Sequence, residues 1–339
     1  MLKKPRAYVA LIFLGLWAVL LSGCSLLYKG TGNTLIAYAE DEAVPYILAT
    51  GDINFSCAMV ESFAPFLFSF SRVTHPPDQL AILFYLLAGS CTEFKAWEEE
   101  LRYLRAVYAG NPVAARDARI VQQRYLSQVA HRQWQGYKAL ALRYAEPGGE
   151  CPLLTNDNAE FYWLMGLISG LQALLNDIAS AGDAHIPLDI GAKIGRAVRC
   201  LNNDKWWGVP EAIQASLWLS IPGHQPADKQ PMQILQQALQ TGSQQGITIS
   251  HVLAVQVHSG LGHTEKVKQI IRQQSQAKIS RTEHPGYQLL NQMAYLQMQQ
   301  FSDRLWTAAT GSRTPIGEMG SFWDDPVEHI DIIEIDDIL

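Results

Sequence analysis

The segment WEEELRYLRAVYAGNP, residues 97–112, decides the fold class of this chain of 339 residues. Its residues Trp97, Leu101, Leu104 and Tyr108 recur at the spacing that places side chains on one face of an α-helix. The closing Gly-Asn-Pro is typical of a boundary between two helices, because asparagine caps a helix and proline fits its first position. The segment therefore predicts two consecutive helices.

Helical spacing continues outward from this segment and begins at about residue 42. A long helix is predicted over roughly residues 112–145, and the Pro-Gly-Gly that follows it is a strong stop signal. Another helix, capped by Asp157 or Asn158, carries the aromatic run Phe-Tyr-Trp at 161–163. Alternation at period two is sustained only in the last dozen residues, so we expect an all-α fold.

The second half of the chain contains three similar segments, IGAKIGRAVRCL at 190–201, QPMQILQQAL at 230–239 and TEKVKQIIRQ at 264–273. Each is predicted to be an amphipathic helix that follows a more apolar one, at steps of roughly 30–40 residues. Such steps are typical of helical hairpins, and the pattern predicts degenerate tetratricopeptide-like repeats. An irregular helical bundle is the alternative.

The first 24 residues have the layout of an export signal. Lys3, Lys4 and Arg6 precede an uncharged, mostly apolar stretch over residues 7–21, and Ser-Gly-Cys follows. The stretch is shorter than the roughly 20 residues of a membrane-spanning helix, and small residues after it are typical of a cleavage site. The ending resembles a bacterial lipobox, which directs cleavage before Cys24 and acylation of its sulfur. An uncleaved anchor or an ordinary secretory signal is the alternative.

The chain thus divides into four expected parts: a lipoprotein signal peptide (1–23), a lipidated tether (24–40), an α-helical repeat domain (41–310) and an acidic C-terminal tail (311–339). The glycines at 30 and 32 favour a flexible spacer. The protein is expected in the cell envelope, lipid-anchored and facing the periplasm. Ser25 resembles an outer-membrane sorting signal, so the outer membrane is favoured over the inner.

Composition narrows the function classes. A hydrophobic content of 48% and nine tryptophans exclude a disordered chain. The formal net charge is −6, and the signal peptide carries three cations and no acid. An acidic mature chain of this kind is a poor nucleic-acid binder, because phosphate recognition needs clustered lysine and arginine.

Four cysteines remain after Cys24, namely Cys57, Cys91, Cys151 and Cys200. In an oxidising compartment they permit two disulfides in three possible pairings. Four buried free thiols are the alternative, since cysteine is often buried without a partner. No pair has CxxC spacing, which argues against a redox motif or a zinc site.

The sequence contains no HExxH, no GxSxG and no convincing pair of catalytic carboxylates, so we expect a protein that is not an enzyme and needs no cofactor or metal. His251 and His258 lie seven residues apart, which is too far for one ion on a helix, although His263 and Glu265 follow. Buried polar or surface histidines are the simpler interpretation.

Tryptophans offer the best candidates for a binding surface. Trp206, Trp207 and Trp218 lie near predicted helix ends, and with Tyr162 and Trp163 they are candidates to wall an apolar pocket or face a partner. Packing in the core is the alternative.

The end of the chain is acidic, with no Lys or Arg after Arg313. Its acids and isoleucines are interleaved: Glu318, Asp324, Asp325, Glu328, Asp331, Glu334, Asp336 and Asp337, with Ile330, Ile332, Ile333, Ile335 and Ile338. A solvated, disordered tail is one interpretation, and a docking segment for a partner is the other.

The order of these elements resembles the TatT-type T components of TRAP transporters, the tripartite ATP-independent periplasmic solute importers. The resemblance covers roughly residues 40–305 and is carried by Asp41–Pro65, the long helix Ala114–Tyr144 with its GYKALALRY ending, Ala159–Leu164, Ala192–Cys200, Trp206–Glu211 and Ile221–Gly223. The family often has Gly-Gly where this chain has Trp206-Trp207, and the acidic tail has no counterpart there.

The resemblance implies a lipoprotein of tetratricopeptide-like hairpins, a homo-oligomer (a trimer), working beside a periplasmic solute-binding protein, with a channel or pocket for a hydrophobic solute. The expected function is therefore an accessory component of a TRAP-type importer that docks the solute-binding protein. A general envelope scaffold without a solute is the alternative, and a hydrolase with a concealed site is a third.

Overall fold

A computed structural model describes residues 26–221, 223, 225–276 and 284–326. Within these ranges the fold is all-α, as predicted, and no β-strand is present. Cys24, the signal segment and the isoleucine-rich end of the chain lie outside the described residues, so the expectations about them stay predictions.

The first half contains long helices. Residues 26–38 are helical (α1) and continue into a π-helical turn at Ala39–Ala43. The following helices are α2 (Val44–Thr50), α3 (Ile53–Ser69), α4 (Asp78–Tyr108), α5 (Pro112–Tyr144) and α6 (Asp157–Ala179), with a 3₁₀ turn at Phe70–Arg72 after α3.

Shorter helices make up the second half. They are α7 (Ile190–Ala197), α8 (Val209–Ser220), α9 (Pro231–Gln245), α10 (Ile249–Gly260), α11 (Thr264–Gln276) and the longer α12 (Gln288–Thr310), with 3₁₀ turns at Val198–Cys200 and Pro285–Tyr287. The three similar segments of the sequence fall on α7, α9 and α11. Each packs against the apolar helix before it, in the pairs α6–α7, α8–α9 and α10–α11.

Capping side chains set the helix boundaries. Asn111 caps α5 as predicted, since its Oδ1 accepts a hydrogen bond of 3.0 Å from the backbone N of Ala114. The cap of α6 is Asn156, not Asp157 or Asn158, because Asn156 Oδ1 accepts from Ala159 N at 2.9 Å. In each case one of the otherwise unpaired N–H groups at the helix start is satisfied.

Helices α4, α5 and α6 approach one another closely because α5 carries a glycine at the crossing. A Cβ atom at Gly136 would lie 2.6 Å from Ser169 Oγ of α6 and 3.1 Å from the backbone O of Ile82 of α4. The close crossing buries one continuous apolar core, in which Tyr137, Leu140 and Trp163 are almost fully buried. α12 then packs against α2, α4 and α10, which joins the second half of the fold to the first.

The four cysteines form two disulfides and are not free thiols. Cys57 of α3 is bonded to Cys91 of α4, and Cys151 is bonded to Cys200 after α7. The first disulfide links α3 to α4, and the second links the loop before α6 to the 3₁₀ turn after α7.

The spacer prediction is wrong for residues 26–38. This segment is helical, and Leu35 and Ile36 pack on a small cluster formed by α2, α3 and α4. The glycine signal misled because Gly32 serves a close contact: a Cβ there would lie 2.8 Å from the Phe70 ring and from Thr74.

The predicted tail boundary at 311 is also wrong. Residues 311–326 pack against α11 and α12, with Phe322 buried and Trp306 Nε1 donating to Ser321 O at 3.0 Å. Asp324 Oδ2 lies 2.6 Å from the buried Lys268 Nζ, and Asp325 pairs with Arg272. Asp324 and Asp325 of the tail therefore dock on α11 of this chain itself.

Candidate functional site

An apolar cavity of about 120 Å³ lies between the first and second halves of the fold. Its walls come from α2, α4, α6, α10 and α12, with Val60 contributed by α3. Each helix presents side chains spaced three or four residues apart, which is the stripe of an amphipathic helix that faces a core. The cavity thus forms where the apolar faces of these five helices meet and their side chains leave part of the space between the helices empty.

The lining is almost entirely aliphatic. Leu83, Leu87, Leu171, Leu253 and Met293 are representative, and within the described part of the chain no charged side chain lines the cavity. An apolar cavity of this kind does not hold water well and accepts small apolar molecules instead. The arrangement suits a hydrophobic ligand and is unsuited to an ion.

Four polar side chains border the cavity, namely Ser90, Gln172, Gln256 and Gln297. The Ser90 hydroxyl is already bonded to Leu86 O of its own helix at 3.2 Å. Amide groups are neutral and carry both donors and acceptors. Any polar recognition at this cavity is therefore hydrogen bonding without charge.

Gln172 is held in place by a buried chain of amides. Gln133 Nε2 donates to Gln172 Oε1 at 3.0 Å, and Asn176 Nδ2 donates to Gln133 Oε1 at 3.0 Å. Ser169 Oγ donates to Gln133 O at 2.7 Å, which pins the backbone of the same residue. Because the Oε1 atom of Gln172 is used within the protein, its Nε2 group is the donor that remains for a ligand.

A titratable group lies at the far end of this amide chain. Burial raises the pKa of the Glu93 carboxyl to about 7. A hydrogen bond to Asn176 lowers this pKa, and the charge of Glu100 raises it. The carboxyl does not line the cavity, so its charge acts on the amide chain and not on a bound molecule directly.

The aromatic residues proposed from the sequence do not form this site. Tyr162, Trp163, Trp206 and Trp207 are buried in the main core, with exposed fractions of 7%, 1%, 2% and 1%, and Trp218 is half-buried on α8. None of the five lines the cavity. The prediction that these residues wall a pocket is therefore wrong for this cavity, and Tyr162, Trp163, Trp206 and Trp207 pack in the core instead.

Internal hydrogen bonds explain why two tryptophans tolerate burial. Trp163 Nε1 donates to Ala197 O at 3.2 Å, and Trp206 Nε1 donates to Glu160 Oε2 at 2.6 Å. Adjacent tryptophans both point inward because Trp207 and Gly208 adopt left-handed backbone conformations, with φ of 58° and 75°. A helical wheel could not anticipate this turn.

The histidines occupy two different environments. His251 is buried beside Ser243, with its Nε2 3.0 Å from the hydroxyl oxygen, and burial lowers its pKa to about 4. His258 and His263 lie at the edge of an open groove between α9, α10 and α11, with their Nδ1 atoms 3.2 Å apart. Within the described residues no group of three or more His, Cys, Asp or Glu has the arrangement of a metal site.

Sequence reasoning missed the cavity because most of its lining residues are aliphatic side chains of the kind found throughout the core. Comparison with protein families, with curated proteins and with solved structures gives no match for this chain. A functional proposal therefore depends on the cavity, the surfaces and the sequence signals.

Proposed function

We propose that this protein is a lipid-anchored envelope protein that binds a hydrophobic solute in the interhelical cavity, as an accessory component of a TRAP-type importer. The lipobox-like ending at Cys24 supplies the anchor, and the surface of the paired helices docks a solute-binding protein. The paired helices α6–α7, α8–α9 and α10–α11 act as degenerate tetratricopeptide-like repeats. The observation that carries the proposal is the uncharged, aliphatic lining of the cavity.

The chemistry of the lining defines the class of solute. Transfer of apolar area from water into the cavity supplies the binding free energy, about 25 cal/mol per Å². A charged group would lose its hydration without gaining a counter-ion, which costs several kcal/mol. The solute is therefore a small neutral molecule with an apolar body, and an oxygen acceptor on it would be placed to accept from Gln172 Nε2.

The anchor would favour docking of a partner. Attachment to the membrane confines the protein and raises its effective concentration beside other envelope components. More than one acyl chain is needed for this, because a single chain binds a bilayer only marginally.

Native mass spectrometry of the chain purified from bacterial envelopes tests solute binding. We expect an additional small-molecule mass on the wild type and on Leu153→Phe, a control at a residue that is 85% exposed. Ala294→Phe fills the cavity from α12 and is expected to lose the additional mass. Gln172→Leu keeps the shape of the wall, and should weaken a ligand with an oxygen acceptor while leaving an alkane unaffected.

The alternative function is an envelope scaffold without a solute. A wild-type protein that is consistently free of ligand, yet co-purifies with an envelope assembly, would support the scaffold and contradict the proposal. Co-purification with a TRAP solute-binding protein, absent from a control purification of the unanchored chain, would support the importer role specifically.

A further inference from the structure

Helix α1 and the end of α3 meet at one end of the fold. Gly32 of α1 lies against Phe70 and Thr74, so the start of α1 and the residues after α3 are neighbours. Five apolar side chains at this end are exposed: Leu26 (69%), Leu27 (68%), Tyr28 (57%), Phe66 (49%) and Val73 (37%). We call these five residues the apolar tip.

Charge at the apolar tip has one sign. Residues 26–39 and 62–77 contain no Asp or Glu, although the chain as a whole has 32. Lys29 and Arg72 are both exposed beside the tip. Acids border this region on its other sides: Glu40, Asp41 and Glu42 lie in the π-helical turn at the far end of α1, Glu61 pairs with Arg132, and Asp78 begins α4.

Helix α3 is unusually apolar for a helix that is mostly outside the core. By length and composition Ile53–Arg72 and Asp78–Tyr108 could each cross a membrane, but 56% of the apolar window of α4 is buried against 28% of that in α3. Val60 and Leu67 attach α3 to the core, and Cys57 is bonded to Cys91. The opposite side of α3 is mixed, since Phe55 and Phe66 are exposed beside polar residues that include Glu61. Its apolar part is concentrated at the end of the helix, at Pro65 and Phe66, and exposed apolar groups of this kind mark interaction sites in soluble proteins.

We propose that the apolar tip inserts into the headgroup region of an anionic phospholipid bilayer. Leu26 follows the acylated Cys24 by two residues, so at most about 7 Å of extended chain separates it from the anchor. Exposed aromatic and aliphatic residues flanked by lysine and arginine are suited to this interface, since the apolar parts insert and the cations contact phosphate. The inference depends on the anchor of the proposed function and is independent of the solute.

A bilayer fits these observations better than a second copy of the chain. A symmetric interface between copies at the tip would bring Lys29 and Arg72 close to their own equivalents. A bilayer with anionic lipid neutralises both cations at the place where the acyl chains must enter it.

Quenching by brominated phospholipid tests the proposal on the full acylated chain in vesicles of phosphatidylethanolamine and phosphatidylglycerol. Leu27→Trp and Phe66→Trp each add a tryptophan at the tip, and Leu153→Trp adds one at an exposed site on another element as the matched control. We expect the emission added at residues 27 and 66 to be largely lost with brominated lipid, and that added at 153 to be kept. The Leu27→Trp variant should be quenched more strongly in vesicles with phosphatidylglycerol than in purely zwitterionic ones. Adding Lys29→Gln and Arg72→Gln to this variant should abolish that difference.

Tip tryptophans that are quenched by aqueous acrylamide but not by brominated lipid would overturn the proposal, as would tip tryptophans shielded from both quenchers, which would indicate a second copy. The intact mass of the purified chain separates this outcome from a failure of the anchor. A chain without acyl groups on Cys24 contradicts the anchor, whereas an acylated chain without quenching contradicts only the tip.

Discussion

The two disulfides should differ in their effect on the cavity while contributing nearly equally to stability. Their sequence separations are 34 and 49 residues. In the chain-entropy treatment of the unfolded state, closing loops of these lengths contributes about 4 kcal/mol each, with the longer loop ahead by only a few tenths. For a folded unit of roughly 300 residues, loss of either bond is expected to lower Tm by about 6 °C.

The local consequence differs because of where each bond lies. The Cys57–Cys91 disulfide attaches α3 to α4. It lies close in sequence to Val60 on α3 and to Ser90 on α4, and both of these residues line the cavity. Helix α3 has a limited buried side and is joined to the core mainly through α4. Cys151–Cys200 attaches a loop to the end of α7, and neither of its residues borders the cavity.

Two double variants separate the global effect from the local one. Cys57→Ala with Cys91→Ala should increase amide hydrogen exchange across α3 and lose the bound solute in native mass spectrometry. Cys151→Ala with Cys200→Ala should keep the solute, although its Tm falls by at least as much. Equal loss of solute in both variants, or a Tm unchanged from that of the wild type in either, would refute this reasoning.

Three further changes test the packing and the buried polar groups. Gly136→Ala should destabilise the fold by about 1–3 kcal/mol in urea denaturation, since its Cβ would meet Ser169 Oγ at 2.6 Å, whereas Gly260→Ala, with no atom within 4 Å, should be neutral or slightly stabilising. Asp177→Ala should cost about 3 kcal/mol in the same assay, because the buried carboxylate accepts from Ala184 N at 2.7 Å and Ile186 N at 2.8 Å; an unchanged midpoint would contradict this. Burial raises the pKa of Glu93 from 4.5 to about 7, so the folded state holds this proton more tightly than the unfolded one and stability should fall as pH rises from about 5 to 7.5. Glu93→Gln should remove this part of the pH dependence, and an identical pH profile in wild type and variant would count against it.

Local signals predicted the helices well because each signal acts within a few residues. The stop at Pro-Gly-Gly and the start at Asn111-Pro112 bracket a predicted helix over residues 112–145, and α5 runs over Pro112–Tyr144. The predicted α6 cap, Asp157 or Asn158, was one or two positions too late, since Asn156, Asp157 and Asn158 are all acceptable caps in sequence and only the backbone geometry selects Asn156.

Features that depend on distant residues were not predictable from spacing. The cavity joins Val44 to Gln297, and its lining residues look like any other apolar positions. Tryptophans were the better candidates by residue type, yet Trp206 and Trp207 are buried because a left-handed turn directs both inward. Cysteine spacing allowed three pairings, and only the contact of α3 with α4 selects Cys57 with Cys91.

Helix α3 connects the two proposals physically. Val60 lines the cavity, and Phe66 of the apolar tip lies six residues further along the same helix, a rise of about 9 Å. A neutral apolar solute is concentrated in a bilayer because transfer out of water is favourable. With the tip in the headgroup region, such a solute would reach the cavity past the apolar residues Phe66, Phe63 and Val60 of α3. Charge on this path should therefore slow loading: Phe63→Glu, at a half-buried residue between Val60 and Phe66, is expected to reduce solute uptake from vesicles while leaving uptake from detergent solution unchanged. Equal loss of uptake from both sources would place the defect in the cavity itself and contradict the path along α3.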